Sequence, residues 1–207
     1  MSHLGIKGKL PHTPSSPKAE GALASILQII MNGKIELYKP KLDLFMFTTK
    51  MIISQQISDV QAKKKWEMFC NLINSTRISI KHVKSKDNLE MIVTKLKISK
   101  RKISYILNLY QTVFLKNKFV KKLINSSEDE FRKEFSRFKG IGPWTCDMIL
   151  IFFLQKLNIF PENDLVINKV KNKLLAIQGG NIDMKKEFSP YLSIFSIHLW
   201  KMAKRVL

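Results

Sequence analysis

Apolar residues recur every three or four positions along most of this chain, and strict apolar–polar alternation is nearly absent. That spacing is the mark of helices with one buried face. Ser58 and Gln61 have capping-box spacing, and Ala62, Trp66, Phe69, Cys70 and Ile73 follow at helical intervals. Ile103, Ile106, Leu107, Tyr110 and Phe114 trace another amphipathic helix. Ser127 and Glu130 open a third, with Phe131, Phe135 and Phe138 on its apolar side. Pro143 starts a fourth, which an apolar run carries to about Leu157. Ser189 and Pro190 suit the cap and first position of a last helix bearing Ile194, Ile197, His198 and Lys201. The pattern predicts an all-α fold with short connections from Ala19 onward.

The longest apolar run, MILIFFL at residues 148–154, is far short of the roughly 20 residues a membrane span needs. It reads as a buried helix core, and no membrane association is expected. Residues 1–18 hold three prolines, two glycines and several serines, and read as a flexible basic tail. The 207 residues suffice for one compact domain or two small lobes.

Charge narrows the function. Lys and Arg number 36 against 16 Asp and Glu, a net charge of +20. Such a surface favours a polyanion, most simply nucleic acid. The two cysteines, Cys70 and Cys146, form no C-x-x-C pair and the four histidines are scattered, which excludes a zinc or iron–sulfur signature. No secretory signal is evident, and a reducing intracellular compartment is expected.

The segment FKGIGPWTCD, residues 138–147, joins two helical patterns through Gly140, Ile141 and Gly142. Glycine permits close backbone approach, and the free amides of the next helix suit a phosphate oxygen. An ordinary helix–helix corner is the competing reading. Ser99 opens a helix whose first turn holds Lys100, Arg101 and Lys102, cations at the unfavourable end of a helix dipole. A nearby phosphate would remove that conflict, and so would plain solvation. Asp164 in PENDLVINKV suits a helix cap.

Taken together, FKGIGPWTCDMIL, NIFPENDLVINKV, MIISQQISDVQAKKKW, LKISKRKISYI and SPYLSIFSIHLW resemble, in order, five segments of the helix-hairpin-helix DNA glycosylase superfamily. The branch most resembled is the alkylbase group, 3-methyladenine DNA glycosylase II. The resemblance implies two helical lobes around a cleft, about 45–155 carrying the hairpin and 19–44 with 156–207 forming the second. It implies a monofunctional enzyme that flips alkylated purines out of damaged double-stranded DNA and hydrolyses the glycosidic bond. A non-catalytic DNA binder of the same fold, or a glycosylase for oxidised or mismatched bases, remains open.

The resemblance also implies roles. Asp164, 24 residues after Gly140, corresponds to the catalytic aspartate. Trp144 stands where lyase-active relatives carry lysine; it and Met148 would line the base pocket, though core packing is the alternative. One of Gln55 and Gln56 would fill the gap left by the flipped base. Gly140, Ile141, Gly142 and Thr145 of the hairpin would contact DNA, with Ser99, Lys100 and Lys102 as a further backbone contact. The carbonyls of Phe138 and Gly140 would hold a monovalent cation, K⁺ or Na⁺, with no side-chain ligand. No other cofactor and no iron–sulfur cluster are implied, and a monomer is expected. Leu192 departs from the pattern, which often has arginine there.

Overall fold

The computed structural model describes residues 40–73, 83, 85–115, 117–178 and 183–206. The expected tail and the start of the expected second lobe lie outside them, as does the Phe114 side chain. The described residues are helical, as the periodicity predicts, in two compact units, Lys39–Ile149 and Leu150–Leu207. None of the described helices is long and apolar enough to cross a membrane.

The first unit is built around α1 (Leu44–Ser54). Leu44, Phe45, Met46, Phe47, Thr48, Thr49, Ile52 and Ile53 are all buried. A helix apolar on nearly every side must be enclosed, and α2 (Asp59–Leu72), α4 (Lys100–Leu115) and α7 (Pro143–Met148) pack against it. Asp43 caps its start, accepting the Met46 N–H at 2.9 Å. Between these elements, α3 (Lys86–Lys95) packs on α2 and α4, and α5 (Asn117–Ile124) packs on α4 and α6 (Glu128–Phe135).

The serine caps fall where the sequence puts them. The hydroxyls of Ser58, Ser99 and Ser127 accept the N–H of Gln61, Lys102 and Glu130, respectively. Phe131, Phe135 and Phe138 form a ring ladder, with centroids 5.1 and 5.5 Å apart. The expected apolar face of α2 is shallower than its spacing suggests. Within the helix only Phe69 is buried, and Trp66 is half-buried on Phe69 at 5.4 Å, with the Lys50 ammonium 5.8 Å from its ring. The helix lies at the rim, so its stripe covers α1 without being enclosed.

Two helix boundaries differ from expectation. The helix begun at Pro143 stops at Met148, and a π-helical turn, Ile149–Phe153, replaces its continuation to Leu157. The Lys156 N–H closes that turn on the Leu150 carbonyl at 2.9 Å. Ser189 and Pro190 do not start the last helix. The Ser189 N–H donates to the Lys185 carbonyl at 3.2 Å, so Ser189 ends the short helix α9 (Met184–Phe188), capped by Asp183. The last helix, α10, begins at Leu192.

The second unit packs α8 (Leu165–Gln178) and α9 against α10 (Leu192–Val206). Its core joins Ile167, Val170, Leu174, Met184, Phe188, Leu192, Phe195, Leu199 and Met202. The buried stripe of α10 is therefore Leu192, Phe195, Leu199 and Met202, while Ile194 and Ile197 are half-buried. Phe188 stacks on Phe195 with centroids 3.8 Å apart. Leu192 is one of these core residues, so an apolar side chain is accounted for there.

His198 is buried on α10. Burial, and secondarily the Lys201 charge, push its pKa down to about 4. Below the ordinary value of 6.5 the unfolded chain takes a proton that the folded chain refuses. Its contribution is therefore complete above pH 6.5 and lost as pH falls toward about 4. Thermal melts of wild type and His198→Gln should show a gap that shrinks or reverses between pH 7 and pH 4.5. A gap independent of pH would contradict this.

Candidate functional site

Gln55 follows the last turn of α1, and its side chain points to the α6–α7 hairpin. Its amide Nε2 donates to the Gly140 carbonyl at 2.9 Å and to Thr145 Oγ1 at 3.3 Å. The main-chain carbonyls behind it are also satisfied. Lys102 Nζ donates to the carbonyls of Ile53, at 2.8 Å, and Gln55, at 2.6 Å. An ammonium at this negative end of the helix dipole is favourably placed. Burial, then the Lys65 charge, lower the Lys102 pKa.

Tyr105 lies one turn after Lys102 on α4, and its ring covers Gly140. A Cβ built on Gly140 would come within 2.0 Å of Tyr105 Cδ2, and Gly140 has φ of 88°. Both the close approach and the left-handed backbone demand glycine. Gly142 has neither need, with φ of −97° and open space at its Cβ position. It precedes α7 without a side-chain cap. Arg132 ties the two hairpin helices together. Its Nε and Nη2 donate to Asp147 Oδ1 at 3.1 and 2.9 Å. Cys146 is fully buried beside this pair. Burial, then Asp147, raise its thiol pKa to about 11, with Arg132 opposing.

Asp164 is 6% exposed at the start of α8, in the second unit. Its Oδ1 accepts the Ile167 N–H at 2.8 Å, and its carbonyl accepts the Asn168 N–H at 3.0 Å. The segment leading to it is clasped by Ser193. The Ser193 hydroxyl donates to the Lys156 carbonyl at 2.6 Å and accepts the Ile159 N–H at 3.0 Å, while the Ser193 N–H reaches the Leu157 carbonyl at 2.8 Å.

Residues 49–191 match the family model described as HhH-GPD superfamily base excision DNA repair protein. The chain belongs to the HhH-GPD superfamily. It is similar to the DNA-3-methyladenine glycosylase of Saccharomyces cerevisiae, 26% identical over 86% of this chain and 75% of that one. A Bacillus subtilis protein bearing a DNA-3-methyladenine glycosylase name is 30% identical over 111 residues, 51% of this chain. The match spans 39% of that relative's own length. A solved structure of the Schizosaccharomyces pombe 3-methyladenine DNA glycosylase in complex with abasic DNA shares the fold. It has a TM-score of 0.72 and 19% identity, covering 88% of this chain and 91% of that one.

Within this HhH-GPD chain, several expected DNA-facing side chains are turned inward. Ile141 and Thr145 are buried, Thr145 because its hydroxyl takes the Gln55 amide. Lys102 resolves its unfavourable place in the first turn of α4 by reaching the far end of α1, without needing a phosphate. Ser99 and Lys100 remain exposed. Met148 is buried and Trp144 half-buried. Gln55 is committed to the hairpin, whereas Gln56 is exposed with φ of 56°. Tyr105, Arg132, Asp147 and Ser193 escaped the sequence reading. The helical offset from Lys102 to Tyr105 was the available signal, since residues three apart share a face.

Gly140→Ala should cost about 2–5 kcal/mol, adding left-handed strain to overpacking against Tyr105. Adding Tyr105→Ala should recover part of that loss, because it removes the clash. Denaturant melts of the four proteins in this cycle give the coupling, and simple additivity would refute the contact.

Proposed function

We propose that this protein is a monofunctional DNA glycosylase that excises alkylated purines, 3-methyladenine foremost, with 7-methylguanine and hypoxanthine as further substrates. Its membership of a base excision repair superfamily and the names of its relatives support this reading. The observation that carries it is Asp164, a carboxylate buried at the N-terminal end of α8. Asp147, the other buried carboxylate among the described residues, is bound by Arg132.

The reaction breaks the bond from C1′ to the base nitrogen, with the electron pair leaving on the base. The sugar becomes oxocarbenium-like, and water adds at C1′. Asp164 would stabilise that charge and orient or deprotonate the water. An alkylated purine is electron-poor and stacks well on an aromatic face, the role for Trp144, with Met148 four residues on along the same helix. Trp144 has no amine, so it forms no Schiff base with the sugar and the strand stays intact. Gln56 would fill the vacated stack, since its side chain is exposed while that of Gln55 is engaged. Ser99, Lys100 and the N-terminal end of α7 after Gly142 would meet DNA phosphates.

A monovalent cation fits the hairpin as an oxygen-held ion. The Phe138 carbonyl accepts the Ile141 N–H, and the Gly140 carbonyl accepts from Gln55. Each keeps a second lone pair. K⁺ or Na⁺ bound there would add positive charge beside a DNA phosphate. We propose a monomer acting on double-stranded DNA.

Base release from methylated DNA tests the reading. Wild type should free 3-methyladenine and leave an uncut abasic strand. Asp164→Asn should lose about 10²-fold or more in rate, yet fold normally, since asparagine caps helices as well as aspartate. Full activity in that variant would remove Asp164 from the chemistry. Cleavage of the strand would show a lyase, and no release of any alkylated base would refute the substrate class.

A further inference from the structure

Gln56 and Lys97 hold positive φ, 56° and 51°, just past the ends of α1 and α3. Glycine is the usual solution at such a position, because a Cβ makes the left-handed region unfavourable. Both side chains here are nevertheless exposed.

Each turn is anchored by a lysine from another helix. Lys65 of α2 donates to the Leu96 carbonyl at 2.6 Å and the Lys97 carbonyl at 3.3 Å. Lys102 does the same for Ile53 and Gln55. The carbonyls that end α1 and α3 are thus each held by a lysine from another helix.

The Lys97 ammonium is thus not needed to finish its own helix. None of the ion pairs among the described residues includes it. Lys95, Lys100 and Arg101, also exposed, extend the same stretch of chain. A strained, non-glycine residue persists when its surroundings over-determine it, and such residues gather at functional sites.

We propose that Lys97 is a DNA-phosphate contact, held in its turn by the Lys65 anchor, and that this strained turn is retained for the charge it presents. This rests on the DNA-glycosylase reading above. A bound strand would then meet a positive charge fixed by the backbone at this turn.

The decisive feature is that stability and binding should move in opposite directions. Lys97→Gly removes both the charge and the strain. Its melting temperature should rise by about 2–4 °C, while its affinity for a lesion-containing duplex falls several-fold. The slope of log affinity against log salt should become shallower by about 0.9. Lys97→Asn, which tolerates left-handed backbone, should show the same binding loss, and Lys97→Arg should retain affinity and slope. Wild-type binding that Lys97→Gly leaves unchanged in both affinity and slope would overturn the proposal alone. Wild-type binding with no salt dependence would overturn it together with the reading it rests on.

Discussion

The carbonyl oxygens at the end of α1 must find donors, and Lys102 supplies them. Much of the hairpin unit follows from that one arrangement. A lysine drawn inward from the first turn of α4 fixes how α4 meets α1. Tyr105, on the same face of α4, is then brought over Gly140. Gln55, whose own carbonyl rests on Lys102, turns its amide to the Gly140 carbonyl. Gly140 is thus held by an aromatic ring and by an amide. The tightest point of the hairpin is fixed by two elements that are distant from it in sequence.

The same economy of position recurs around Asp164. Its cap role and its proposed chemical role use the same location, the electropositive start of a helix. The hydroxyl of Ser193 does for the preceding segment what Gln55 does for the hairpin, tying irregular chain to a rigid helix. Reactive groups are placed well only when their supports are ordered. Here those supports are single side chains making two or more hydrogen bonds each.

The all-α character, the serine caps and the hairpin itself were legible because they depend on residues within one or two helical turns. Ser58, Ser99 and Ser127 needed only their own neighbours to be read. Lys102 could not be read this way, since its partners at Ile53 and Gln55 are far off in the sequence, and locally it looks like any solvated charge. The choice between Gln55 and Gln56 was hidden for the same reason. The π-turn at Ile149–Phe153 was invisible because an unbroken apolar run carries no phase. Ser189 and Pro190 misled because a good start signal was also the end of a short helix that periodicity does not resolve.

Cys146 carries a further consequence. Electrophiles, alkylating agents among them, attack thiolates far faster than thiols. The Cys146 sulfur is fully buried, and its pKa is pushed up to about 11. At neutral pH it is almost wholly protonated and out of reach. The hairpin thus carries its cysteine in a form that electrophiles cannot readily modify, which leaves the neighbouring Arg132–Asp147 clasp undisturbed.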